Sequence, residues 1–268
     1  MSEVSTYRWS FEQDLFHYAA AGYEAIGVWR HKLSDFGEEE GVDLLAETGM
    51  RVSHLMWAGG FTGSDGRSLN DAIDDGLHAI RLAGATNAGC LIVFPGGRNN
   101  HILSHAERLF RIALDNLISL AEAAEVTLAI KPMHLASARE WTFLTDLEST
   151  IALIESINSP HLKLVLDTYH FGHDQAVIAN LREIVPHLAL VQLGDRQVPP
   201  SGCGQRCPLG EGVIPLGMIL AELLEAGYTG DFDVDLSNAG IQPRSYQQVL
   251  SDSRQQFQQW MPSFSKTA

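Results

Sequence analysis

With 268 residues, 45% of them apolar, the chain is the size of one α/β barrel and has the side chains for a large core. A formal charge of −15 argues against a nucleic-acid partner, which needs a basic surface. No apolar run approaches the ~20 residues of a membrane helix, and MSEVSTYRWSFEQD lacks a basic-then-apolar secretory signal, so the expectation is a cytoplasmic protein with no membrane partner.

Short apolar runs alternate with amphipathic ones. Strands are predicted at Thr6–Trp9, Ala25–Trp29, Val52–Trp57, Cys90–Phe94, Val126–Lys131, Leu162–Asp167, Leu188–Leu193 and Phe232–Leu236. Each run alone is ambiguous, but most intervals are about 25 to 40 residues, the length of one βαβ step. Between them, Ile73, Leu77, Ile80 and Ala83 share a helical face. So do Leu109, Ala113, Leu117, Leu120 and Ala124, and then Leu147, Ile151 and Ile154. Capping boxes at Ser10 with Gln13, Ser104 with Glu107, and Thr145 with Glu148 are expected to start three helices. Gly227 is expected to close the helix Leu216–Leu224. Gly194–Pro215 reads as one long irregular loop, and the tail after Trp260 is expected to fray. Eight strand–helix units with no linker predict one domain over 1–268, a single (β/α)8 TIM barrel.

Three cysteines are too few for a disulfide framework. Cys203 and Cys207 form a CxxxC, but the third thiol, Cys90, sits in an apolar strand, so a zinc–thiolate site is not expected.

In a barrel, the C-terminal strand ends converge on one pocket. In order they are Trp9, Trp29, His54 with Trp57, Phe94, Lys131 with His134, Asp167 with His170, Gln192 with Asp195, and Asp235. LKLVLDTYH, residues 162–170, is the most informative segment, because an apolar run there delivers a carboxylate and an imidazole together. The aromatic residues Trp9, Trp29, Trp57 and Phe94 are expected to form an apolar wall, with charged groups opposite. That division suits a small molecule with an apolar face and many hydroxyls, such as a sugar. His54, Trp57, His134, Gln192 and Arg206 are the expected substrate contacts, and Arg98 and Arg206 the candidate anchors for an anionic group. Asp195 is expected to orient its loop rather than do chemistry.

LDTYH, VQLGD, LGEGVIPL at 209–216 and AGYTGDFDVDL at 226–236 resemble the sugar phosphate isomerase/epimerase family with the xylose-isomerase-like TIM barrel. KPMH at 131–134 looks like that family's fifth-strand segment, with Lys131 where a glutamate usually stands. The resemblance implies a divalent metal (Mn, Mg, Co or Zn) held by Glu, Asp, His and Glu from strands five to eight. It also implies a homo-oligomer. Carried onto this chain, those positions are Lys131, Asp167, Gln192 and Asp235, with His170 a substrate ligand. Asp167, Gln192 and Asp235 are then the remaining metal ligands, and Lys131 weakens the site, since an ammonium repels a cation rather than ligating it. Placed between Asp167 and Asp235, Lys131 can instead occupy the cation's place.

Two functions follow. One is a sugar or sugar-phosphate isomerase/epimerase working by proton transfer beside a carbonyl, with Lys131, Asp167, Asp235 and His170 as catalytic residues. Lys131 as a Schiff-base nucleophile is the least favoured variant, because neighbouring carboxylates hold it charged. The other is a catalytically degenerate member that binds a carbohydrate-like ligand or a partner protein without turnover, its charges forming a structural salt bridge.

Overall fold

The computed structural model describes residues 1–197, 206–237 and 244–261. Its strands are β1 (Ala25–Trp29), β2 (Arg51–Gly59), β3 (Leu91–Phe94), β4 (Leu128–Ile130), β5 (Leu162–Asp167), β6 (Leu188–Leu193), β7 (Asp195–Arg196), β8 (Arg206–Cys207) and β9 (Asp231–Val234). Among the described residues, seven strands form one parallel sheet in the order β1-β2-β3-β4-β5-β6-β9, with helices in the connections. Continuous apolar runs such as Leu162–Leu166 make such strands, because helices cover the outer face and side chains fill the inner one. This is a TIM barrel, as expected.

The first expected strand, Thr6–Trp9, does not form. Glu3–Thr6 is a 3-10 turn and Ser10 immediately caps the helix Phe11–Ala20. The gap between β9 and β1 is closed at Met1 and Ser2 instead. Ser2 N–H donates to the Val234 carbonyl at 3.0 Å, and Met1's carbonyl accepts from Gly27 N–H at 2.9 Å. Side chains then hold this segment where a ladder would otherwise run. Ser5 Oγ accepts from Leu236 N–H at 2.9 Å, Glu3 Oε2 from Trp29 N–H at 2.7 Å, and buried Lys32 pairs with Asp14. Those bonds curl the backbone away from the extended form a strand requires.

The capping box at Ser10 and Gln13 is present. Those at Ser104 and Thr145 are not. The helix Leu103–Ala123 starts at Ile102 without a side-chain cap, and Leu147–Ile157 is capped by Asp146, whose carboxylate accepts from Ser149 N–H. Asp146 wins because its charged acceptor faces the helix's positive end. The sequence also holds boxes at Ser68 with Asp71 and Ser245 with Gln248. Gly227, at φ +89°, follows its helix as expected. The expected irregular loop contains the short antiparallel pair β7–β8. Cys203 and the tail beyond 261 lie outside the described residues.

Inside the barrel, Ile92, Ala129, Val165 and Leu190 pack in one cluster with Phe94, Trp57 and Met133. Side chains along a strand return to the same face every second residue. Two positions onward from Ala129, Val165 and Leu190 stand Lys131, Asp167 and Gln192. The apolar layer is thus the floor under a charged one.

One glycine is required by this interior. A Cβ on Gly27 falls 2.1 Å from His54 Cε1, which is wholly buried. Gly27→Ala is expected to destabilise the fold by about 1–3 kcal/mol, the usual cost of overpacking. In urea unfolding, His54→Ala in the same chain should recover part of that loss. Additive losses in the double variant would show that the two side chains do not compete for this space.

Candidate active site at the barrel mouth

Lys131, Asp167, Gln192, Asp235 and Arg206 meet in one buried cluster. Lys131 Nζ lies 2.7 Å from Asp167 Oδ2 and 3.5 Å from Asp235 Oδ2, and donates to Gln192 Oε1 at 2.5 Å. Arg206 comes from β8 in the loop. Its guanidinium donates to both Asp167 oxygens, at 3.2 and 2.7 Å, and lies 3.4 Å from Asp235 Oδ2. The guanidinium also stacks over the Tyr169 ring at 4.3 Å. Two cations therefore face two carboxylates, and Asp167 is the more tightly held.

Burial opposes ionisation of Asp167, but Arg206 and Lys131 outweigh it and hold the carboxyl well below its usual range. The same contest leaves Asp235 below its usual range too. Arg206 is pushed up by the two carboxylates despite its burial. His170 stands 3.7 Å from Asp167 Oδ2. Burial pushes its pKa down to about 3, with Asp167 opposing. Neither of its ring nitrogens has a hydrogen-bond partner among the described residues. It is a neutral, unpaired imidazole beside the cluster.

Two further buried polar groups adjoin the cluster. Gln192 Nε2 donates to Asp233 Oδ2 at 3.0 Å, and His54 Nε2 is 3.9 Å from the same oxygen. Sequence reasoning placed His54 at a strand end, but β2 continues to Gly59, so His54 lies mid-strand, deeper in the barrel. Asp233 was missed, although the alternation in Asp233-Val234-Asp235 puts both carboxylates on one face.

Of the other expected residues, His134 caps a short helix, accepting from Ala136 N–H, and its ring lies 5.9 Å from that of His173. Asp195 accepts from the backbone N–H groups of Gly210, Gly212 and Ile214, and so orients its loop as expected. Arg98 donates to the His101 carbonyl at the surface.

Beside the cluster, over β1 to β3, opens a cavity of about 460 Å³. Trp57, Phe94 and Trp141 line it, with ring centroids 5.0–6.2 Å apart. Of the expected aromatic wall, Trp57 and Phe94 are present. Trp9 instead stacks on His17 at 4.3 Å, and Trp29 reaches the cavity only through His31, which does line it. Trp141 takes the vacant part and was not foreseen.

The donor set does not fit a family-type metal. The fifth-strand position offers an ammonium, and Gln192's oxygen accepts from that ammonium. Asp167 and Asp235 are each covered by two internal cations. Among the described residues, no group of three or more His, Cys, Asp or Glu side chains is placed to hold an ion. No described helix is long and apolar enough to cross a membrane.

Fold and site together define a TIM-barrel protein with a buried charged cluster at the C-terminal strand ends. Residues 16–256 match the family described as xylose isomerase-like TIM barrel, and the chain belongs to that family. The L-ribulose-5-phosphate 3-epimerase UlaE of Escherichia coli is 25% identical over 171 residues, covering 63% of this chain and 54% of that protein. The chain thus spans about half the length of the curated relatives it matches. In fold it is similar to a protein of Sinorhizobium meliloti 1021, with a TM-score of 0.88, 22% identity and 97% of each chain covered. It is also similar in fold to an IOLI protein with a binding zinc atom, at TM-score 0.84, 18% identity, and 99% and 98% coverage.

The buried imidazole sets a pH window. An unfolded histidine takes its proton near pH 6.5, whereas folded His170 takes it near pH 3. Between those values the unfolded state binds more protons, so stability falls as pH falls, by up to about 1.4 kcal/mol per pH unit for one such group. His54, also lowered by burial, acts in the same direction. Asp167 and Asp235 act later. Their contribution is present above about pH 4 and is lost as pH falls through their lowered folded values. The unfolding midpoint is therefore expected to drop already below pH 6.5, and more shallowly in His170→Asn. Equal slopes for both proteins between pH 6.5 and 4.5 would contradict this assignment.

Proposed function

We propose that this chain is a sugar isomerase/epimerase-class enzyme whose central positive charge is internal, supplied by Lys131 and Arg206. The observation that carries the reading is the convergence of Asp167, Gln192 and Asp235 on Lys131 Nζ, at 2.7, 2.5 and 3.5 Å. UlaE, by its name, epimerises a sugar phosphate, and the IOLI protein binds zinc. Here an ammonium and a guanidinium supply positive charge at the strand ends.

The reaction is proton transfer next to a carbonyl. His170, whose ring nitrogens have no hydrogen-bond partner among the described residues, accepts the proton from the carbon beside the carbonyl, with Asp167 offsetting the low basicity that burial gives the imidazole. The C–H electron pair moves toward the carbonyl oxygen, giving an enediolate whose charge faces Lys131 and Arg206. The imidazolium formed then faces Asp167, 3.7 Å away. For inversion Asp235 first takes a proton from solvent, which it delivers to the opposite face while His170 holds the one removed. Without that proton the imidazolium of His170 returns its own to the neighbouring carbon, an isomerisation. His134 and Gln192 position substrate hydroxyls, with Trp57 as the apolar contact.

A second reading has its own observation. Asp167, Asp235, Lys131 and Arg206 are nearly inaccessible and satisfy one another, so neither carboxylate is a free base. A binder without turnover fits that closure.

Solvent exchange separates the two readings. Incubated in D2O with a panel of ketoses and aldoses, the enzyme should incorporate deuterium beside the carbonyl of at least one sugar. Lys131→Met should slow that exchange at least about a hundredfold, the scale of losing one oxyanion contact. Absence of exchange with every sugar would leave the binder. Protein purified without chelator should hold far less than one metal ion per chain and exchange equally well in EDTA, whereas Lys131→Glu should gain an ion. Near-stoichiometric metal in the unaltered chain would overturn the internal-cation reading.

A further inference from the structure

The cavity over β1 to β3 is built differently from the charged cluster beside it. Its floor is aromatic, with Trp57 edge-on to Trp141 at 5.0 Å and Phe94 5.4 Å from Trp141. Trp141 is 42% exposed and lines the cavity, so its ring is open to a ligand there. Its rim is polar but already paired. Arg30 donates to the Trp57 carbonyl at 2.8 Å and to both Asp75 oxygens. Arg67 donates to Asp65, Asp75 and the Gly59 carbonyl. These two arginines therefore frame the aromatic floor with their terminal nitrogens turned to Asp65, Asp75 and backbone carbonyls, while Arg30 Nε is buried without a partner among the described residues. Asp65, Asp75 and Glu140 line the cavity with them, so the corner carries three carboxylates against two guanidinium groups.

That chemistry selects a ligand. Aromatic faces attract the partly positive C–H groups of a sugar ring, and carboxylates at the rim accept from its hydroxyls. A phosphate is disfavoured here, since both guanidinium groups already face Asp65 and Asp75 and the remaining carboxylate, Glu140, leaves the local balance negative. We infer that this corner is a platform for an uncharged pyranose ring, so that the substrate class is a neutral sugar or glycoside and not a sugar phosphate. The inference rests on the proposed carbohydrate function. The platform shares its floor with the charged cluster, because Phe94 and Trp57 pack on the same inner cluster as Val165 and Leu190, two residues short of Asp167 and Gln192. Trp57 and Trp141 are then specificity residues, touching the ring and not the reacting carbon.

Tryptophan-fluorescence titration of the full chain tests this, with the methyl glucopyranosides and methyl galactopyranosides against glucose 6-phosphate and galactose 6-phosphate. At least one methyl glycoside should give a saturable change, and both phosphates should bind at least tenfold more weakly. Trp141→Ala should weaken glycoside binding about tenfold, about 1.4 kcal/mol, with an unchanged unfolding midpoint. Trp141→Phe should keep most of the affinity. No saturable response to any methyl glycoside, tighter binding of the phosphates, or full affinity in Trp141→Ala would each overturn the inference. Glycoside binding without deuterium exchange upholds it while removing the catalytic reading. Exchange on a sugar phosphate with no glycoside binding does the reverse.

Discussion

Two carboxylates held out of water at the mouth of a barrel cannot both stay ionised without positive charge beside them. Asp167 and Asp235 are in that position, and Lys131 and Arg206 supply the charge. An isolated buried carboxylate costs several kcal/mol, and a good ion pair does little more than offset that cost. The arrangement is therefore weak as a source of stability and strong as a constraint. It orders β8, which carries Arg206, against β5. It turns Gln192 so that its oxygen faces Lys131 and its amide faces Asp233. It also leaves His170 buried beside two cations, and burial first, then those charges, disfavour a proton on the imidazole.

Charge fixed in the chain differs from charge borrowed from an ion. A metal is selected by its ligands and can be removed, whereas Lys131 and Arg206 are present whenever the chain is folded. Both also present N–H donors with set directions, which suits an oxygen that gains charge during a reaction. The resemblance-implied ligand set holds three carboxylates against a divalent ion. Here two carboxylates face two unit charges, so the cluster is formally neutral and repels a developing oxyanion less.

Much of this could be read from residue order alone. Period-two alternation in parallel strands brings Lys131, Asp167 and Gln192 to one layer, and the barrel's topology makes that layer converge. The substituted cation was legible for that reason, because an ammonium replaced the expected glutamate on a predictable face. Arg206 was visible only as an arginine in a loop. It reaches Asp167 across 39 residues, with no periodicity to fix its direction. Trp141 lies between a short helix and the next, where nothing in the local pattern aims a side chain. His54 was assigned to the mouth because β2 was read as ending at Trp57, when bulge and register carry it to Gly59. The segment 6–9 reads as a strand by composition, but Thr6 ends a 3-10 turn and its hydroxyl donates to Asp14 on the helix that Ser10 caps, so the chain turns there instead of extending.

The unequal distances within the cluster indicate where a ligand enters. Asp167 is gripped by both cations at 2.7 Å, while Asp235 stands 3.5 Å from Lys131 and 3.4 Å from Arg206. Charge-assisted hydrogen bonds are strongest near 2.8 Å, so the Asp235 contacts are Coulombic and loosely directed. An oxygen carried by a sugar can compete for the donors facing Asp235 at less cost than for those facing Asp167. On the proposed reading, Asp167 fixes the two cations and Asp235 yields to the ligand. Asp235 then becomes the less stabilised carboxylate and gains basicity as the substrate binds. A closed, neutral, self-satisfied cluster and a working one thus differ by the movement of a single side chain.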